Sequence, residues 1–177
     1  MRLAGITGQT RGAAEVLLTA VAERLTNDGV RLVGALCPAI PDGGSGHCNS
    51  DLWLLPRGPL MRITQDLGQG STACRMDASA FEEAVGQITS RLQAGAVDLV
   101  LLNKFGLQEA EGRGLRPLIA EALDKGVPVL TGVPETHRAS FAQFAGGMDT
   151  HLPPEEDAIL AWCRRAIAPN ATQTKEL

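Results

Sequence analysis

Aromatic side chains are scarce in this chain of 177 residues, at 3%, and tyrosine is absent. Aliphatic packing must therefore supply nearly all of the core. Long apolar runs are missing too. No segment approaches the ~20 residues that cross a bilayer, and the N-terminus carries no signal-peptide cleavage pattern. A membrane is not an expected partner, and the cytoplasm is the expected location. Basic clusters are equally absent: apart from the pair Arg164 and Arg165, Lys and Arg are scattered singly and the net charge is -4, so nucleic acid is not an expected partner either. Cys37, Cys48, Cys74 and Cys163 contain no C-x-x-C pair and are too few for a disulfide scaffold, which predicts reduced thiols. What remains, 44% hydrophobic and 20% charged residues, is the composition of a globular protein with room for one domain.

The apolar pattern predicts an α/β protein. Arg2 to Thr7 reads as a buried strand, and Gly12 to Asn27 repeats apolar residues at helical spacing (Val16, Leu17, Ala20, Val21, Leu25) until Gly29 closes it. Arg31 to Cys37 is a second strand, completing a strand, helix, strand unit that favours parallel pairing. "PAIPDGGSG" is loop chemistry, and "DLWLLPRGPLMRITQD" predicts two strands turning at Arg57 and Gly58, a β-hairpin insertion over about residues 38–75. Asp77 is placed to cap a helix running to Gly95, with Ser79 and Glu82 at capping-box spacing one turn in. In "VDLVLLNKF" five of the first six residues are apolar, as in the central strand of a parallel sheet covered on both faces. Helices over Leu115 to Lys125, Arg138 to Phe144 and Glu155 to Ile167 and a strand in "VPVLTGV" complete one doubly wound, mostly parallel domain over 1–168, with a frayed tail at 169–177. Ligands of such sheets bind beyond the carboxyl ends of the strands, here near Thr7, Asn103 and Thr131.

The first strand-to-helix turn is the leading candidate site. A phosphate loop, G-x-x-x-x-G-K-[ST], combines glycines that let N–H groups converge, a lysine for the outer phosphates and a hydroxyl for magnesium. From Gly8 this chain reads Gly8, Gln9, Thr10, Arg11, Gly12, Ala13, Ala14, Glu15. Ala13 stands for the second glycine, Ala14 for the lysine and Glu15 for the hydroxyl. Glu15 also puts a carboxylate where the helix dipole would attract an anion. The expectation is residual anion or nucleotide binding without hydrolysis.

The stretches "GITGQTRGAAEVLLTAVAERL", "LVLLNKFG" and "GVPVLTGV" resemble the small nucleoside-triphosphatase family of P-loop proteins, with Asn103, Lys104, Phe105 and Gly106 at the place of a D-E-I-G-like motif. Over nearly the whole chain, "RITQDLG" to "CRMD", "NKFGLQEAEGRGLRPLIAEAL", "FAGG" and "AWCR" resemble an uncharacterised bacterial domain family found beside molybdate-transport genes. The first resemblance implies a three-layer P-loop sandwich of phosphate-binding ancestry, and the second a molybdate setting.

Other constellations are weaker. "NKFG" departs from the guanine-binding N-K-x-D pattern at Gly106, yet it places Asn103 and Lys104 at a strand end, where Lys104 could replace the missing cation. Arg113 suits oxyanion binding through its planar fork, and Glu109 could orient a water. His47, Cys48 and Cys74, with Cys37 ahead of them, could hold a soft metal across the hairpin. No Ser-His-Asp or Cys-His triad can be argued from spacing. Two alternatives stay open beside the non-hydrolysing binder: an active nucleoside triphosphatase using Lys104 and Glu109, and an interaction module with an empty pocket. A homo-oligomer is compatible with each.

Overall fold

The computed structural model describes residues 2–10, 12–37, 51–65 and 75–168. In chain order these form β1 (Leu3–Ile6), α1 (Ala13–Asn27), β2 (Leu32–Leu36), β3 (Asp51–Leu55), β4 (Leu60–Arg62), β5 (Thr64–Gln65), β6 (Arg75–Met76) and α2 (Ala78–Ala94). There follow β7 (Leu99–Leu102), α3 (Leu107–Ala110), α4 (Arg116–Asp124), β8 (Val129–Gly132), a 3-10 turn (Glu135–His137), α5 (Arg138–Ala145), β9 (Asp149–Leu152) and α6 (Glu156–Ile167).

Four successive buried aliphatic residues put β7 in the middle of a seven-stranded sheet of order β4-β3-β2-β7-β8-β1-β9. Successive side chains point to opposite faces, so β7 supplies two cores at once. Val100 and Leu102 join Val33, Ala35, Leu54 and the helices α2, α4 and α5 on one face. Leu99 and Leu101 join Ala4, Ile6, Leu32 and the helices α1 and α6 on the other. Each fully buried leucine contributes roughly 1.5–3 kcal/mol, so the doubly apolar strand anchors both layers. This is the three-layer, mostly parallel sandwich that the apolar runs predict: β2, β7, β8, β1 and β9 are parallel, and β3 and β4 are antiparallel.

Two glycines permit the close packing. A Cβ on Gly34 (φ 141°) would run into the Leu101 carbonyl across the β2–β7 ladder. On Gly5 it would lie 2.7 Å from Val133 and 2.9 Å from Phe141, so bare backbone lets α5 settle on β1.

The hairpin of β3 and β4 extends the main sheet, because Trp53 pairs with Leu36 on one side and Leu60 on the other. β9 escapes an apolar-run reading because it is an edge strand of which only Leu152 is buried. Asp77 caps α2 as expected, its Oδ1 accepting from the Ser79 and Ala80 amides at 3.0 and 3.1 Å. Among the described residues, no helix is long and apolar enough to cross a membrane. Residues 38–50 and 66–74 of the expected insertion, and residues 169–177, the expected frayed tail, lie outside the described residues.

Candidate functional site

Parallel pairing brings the ends of β1, β2, β7 and β8 to one edge of the sheet, so Thr7, Cys37, Asn103 and Val133 leave it together. Hydrogen bonds stitch that edge. The Thr7 hydroxyl donates to the Val133 carbonyl at 2.8 Å, and the Cys37 amide donates to Asn103 Oδ1 at 3.1 Å. The Phe105 amide donates to the Gly132 carbonyl at 2.7 Å.

From β1 the chain turns tightly into α1. Gly8 packs so closely that a Cβ on it would lie 2.8 Å from the Ala14 nitrogen. Gly12 adopts the left-handed conformation (φ 83°), and the Ala13 amide donates to the Thr10 carbonyl at 3.2 Å. No side chain caps the helix, which leaves its first-turn N–H groups without the usual side-chain acceptor. Gln9, Thr10 and Gly12 are exposed, while Gly8, Ala13 and Ala14 are half-buried. Glu15 lies in that first turn, half-buried. Arg11 falls outside the described residues.

Asn103 is 6% exposed, whereas Lys104 is exposed at the mouth with its stem beside Gly106. Cys37 connects these pieces electrostatically. Burial pushes its thiol up to about 11; Lys104 draws it down, and Glu15 and Asp51 push it further up. The start of α1, the start of β3 and the end of β7 therefore all bear on one thiol.

Glu109 has a task that its sequence context hides. It is 4% exposed, with Oε2 accepting from the Gly106 amide and Oε1 from the Leu115 amide, both at 2.8 Å. The carboxylate ties the start of α3 to the start of α4, a structural use of both oxygens beside the water-orienting one expected of it. Gly114 (φ 65°) makes room for it, since a Cβ there would collide with Oε1. Arg113 is exposed and pairs with Glu111. His47, Cys48 and Cys74 lie outside the described residues. Among the described residues no group of three or more His, Cys, Asp or Glu side chains is placed to hold a metal ion.

A cavity of about 390 Å³ opens on the α2 side of the same edge. Ala35, Leu52, Phe81, Ala84, Ile88 and Leu115 wall it, and Cys37, Asn103 and Lys104 stand among its lining. Sequence reasoning set Asn103 and Lys104 toward a pocket at this edge but missed its apolar wall, because the stripe Phe81, Ala84, Val85, Ile88 reads as a helix face wholly spent on the core. The only available signal was the polar pair following the apolar run of β7.

A profile for a family described as protein of unknown function (DUF2478) matches residues 3–162. The chain is 37% identical over 163 residues to the molybdenum import ATP-binding protein ModC 2 of Bradyrhizobium diazoefficiens, a match covering 92% of this chain and 18% of that protein. The chain thus spans less than a fifth of the length of the curated relative it matches. Among solved structures it is similar to THEP1 from the hyperthermophile Aquifex aeolicus, with a TM-score of 0.67 and 16% identity, covering 94% of this chain and 99% of that one. It is also similar to a human cancer-related nucleoside triphosphatase, with a TM-score of 0.64 and 15% identity, covering 99% of this chain and 100% of that one. These likenesses show a fold of the P-loop nucleoside-triphosphatase kind.

Proposed function

Because the chain belongs to the family described as protein of unknown function (DUF2478) and has a P-loop nucleoside-triphosphatase-like fold, we propose that it is a non-hydrolysing P-loop-like domain that binds a small oxyanion or a nucleotide. One observation carries the reading. The uncapped start of α1 follows a left-handed Gly12 at the carboxyl edge of the sheet, while Ala14 and Glu15 occupy the places of a catalytic lysine and a magnesium-holding hydroxyl. The first-turn amides and the helix dipole favour an anion. Phosphoryl transfer needs far more charge neutralisation than they provide. Lys104, at the same edge, supplies one cation. The name of the curated relative supports molybdate uptake as the setting.

The test is a thermal-shift series with phosphate, molybdate, tungstate, ADP and ATP, accompanied by a colorimetric assay for released phosphate. At least one anion should raise the melting temperature, with a ligand at a hundred times its Kd contributing about 2.7 kcal/mol, and no triphosphate should be turned over. Absence of any shift overturns the binding; steady phosphate release overturns the non-hydrolysing assignment. An active enzyme built on Glu109 is disfavoured because both of its oxygens already hold backbone amides.

An interaction module is favoured by a different observation. Trp53 and Leu60 face one another across β3 and β4 and remain 41% and 49% exposed. Sedimentation velocity tests that reading through self-association: loss of a dimer in Trp53→Ser supports it, and a monomer at every concentration of the parent protein counts against it.

A further inference from the structure

We infer that the cavity on the α2 side is a second binding site, taking a small amphipathic organic anion whose apolar body lies between α2 and the β2–β3 sheet surface and whose oxyanion head meets Asn103 and Lys104. The cavity lies on the opposite face of the sheet from α1 and shares only Lys104 with the Gly12 turn, so it is tested in the absence of phosphate and nucleotide.

Size and lining argue for a small organic molecule. A space of about 390 Å³ falls within the usual range for such sites, and its walls are mostly aliphatic and aromatic, with a few polar side chains among them. An inorganic oxyanion alone would leave those walls unfilled.

The sign of the head follows from the polar groups. Asn103 Oδ1 accepts from the Cys37 amide, so the amide nitrogen is the end of that buried side chain left to donate. Lys104 carries only donors, and among the described residues it makes no ion pair. The Cys37 thiol, kept protonated by burial, is a weak donor as well. Glu109 also lines the space, but both of its oxygens accept backbone amides. Thr64 and Gln108, which also line the space, can donate or accept, so the one charge and the one buried free donor, at Lys104 and Asn103, decide the head: they call for acceptors, which a carboxylate or a phosphate monoester supplies. Charge-assisted hydrogen bonds of this kind make the charged head stronger than a hydroxyl.

Octanoate, octanol and octylamine, each below its aggregation threshold, are suitable calorimetric probes because they share one apolar body and differ in the head. Octanoate should bind saturably and about tenfold more tightly than octanol, as charged donors discriminate by roughly that factor. Octylamine should bind least. Lys104→Met should erase the advantage of octanoate over octanol, and Ala84→Leu, which fills the wall, should weaken both. If Ala84→Leu fails to fold, as circular dichroism would reveal, the head-group split in Lys104→Met decides alone, because that residue is exposed. No saturable octanoate binding, equal or tighter binding of octylamine, or an unchanged split in Lys104→Met overturns the inference.

Discussion

The first turns of α1 and α3 each carry a glutamate three residues after a glycine, and the two glutamates do opposite things. Glu109 is buried and gives both oxygens to amides of its own loop, closing the corner between α3 and α4. Glu15 is half-buried at the start of a helix that no side chain caps, and its charge competes with any anion approaching from the sheet edge. One carboxylate builds the fold, and under the proposed function the other tunes what the fold can hold. The difference lies in what surrounds them: Gly114 clears space that lets a loop wrap Glu109, while the Gly12 turn opens onto solvent, with nothing within 4 Å of where a Cβ would stand.

Removing each acid separates the two roles, with the larger effect at Glu109. Glu109→Ala leaves the Gly106 and Leu115 amides without acceptors, and orphaned buried donors cost about 1–3 kcal/mol each. A loss of about 2–5 kcal/mol should appear in chemical denaturation, and Gly114→Ala should mimic part of it by pushing the carboxylate aside. Near-parental stability in Glu109→Ala would mean that the corner holds without its carboxylate and that the contrast is false.

Glu15→Ala should leave stability within about 0.5 kcal/mol of the parent, as for a polar surface substitution. It should strengthen binding of phosphate or molybdate by about two- to fivefold, the range of a single charge acting at a helix start. Calorimetric titration checks this directly. Unchanged or weaker binding would place the anion away from α1.

The pattern of what could be read in advance follows from the same physics. An unbroken apolar run declares β7, apolar residues on period 3.6 declare α2, and Asp77 marks its start, because burial and capping each leave a regular trace in the chain. Phosphate-loop spacing likewise makes the Gly8 to Ala14 turn visible. The role of Glu109 leaves no such trace: its partners are backbone amides, which every residue but proline carries. β9, with Asp149 and Thr150 only half-buried and His151 exposed, is specified by pairing to β1 rather than by its own apolarity. The α2 cavity is formed by several separate stretches of sequence, so only their assembly reveals it.

Cys37 provides the finest probe of the comparison, since Glu15 and Lys104 act on its thiol in opposite directions. Burial dominates and sets it at about 11, so the thiol is protonated at neutral pH, and the stability this confers is complete below the unfolded thiol's range and lost as pH climbs through about 11. Only the thiolate attacks iodoacetamide, so labelling of Cys37, followed by peptide mass spectrometry, should be slow near neutrality and accelerate as pH approaches that value. Cys163, fully buried and pushed up to about 12, should lag behind it. Removing the positive charge in Lys104→Met raises the Cys37 thiol further and should slow its labelling near pH 10 by roughly two- to fivefold, the scale of a partly screened charge. Glu15→Ala should speed it. Both variants moving the rate the same way would show that Cys37 responds to packing alone and that the two charges do not meet at the sheet edge.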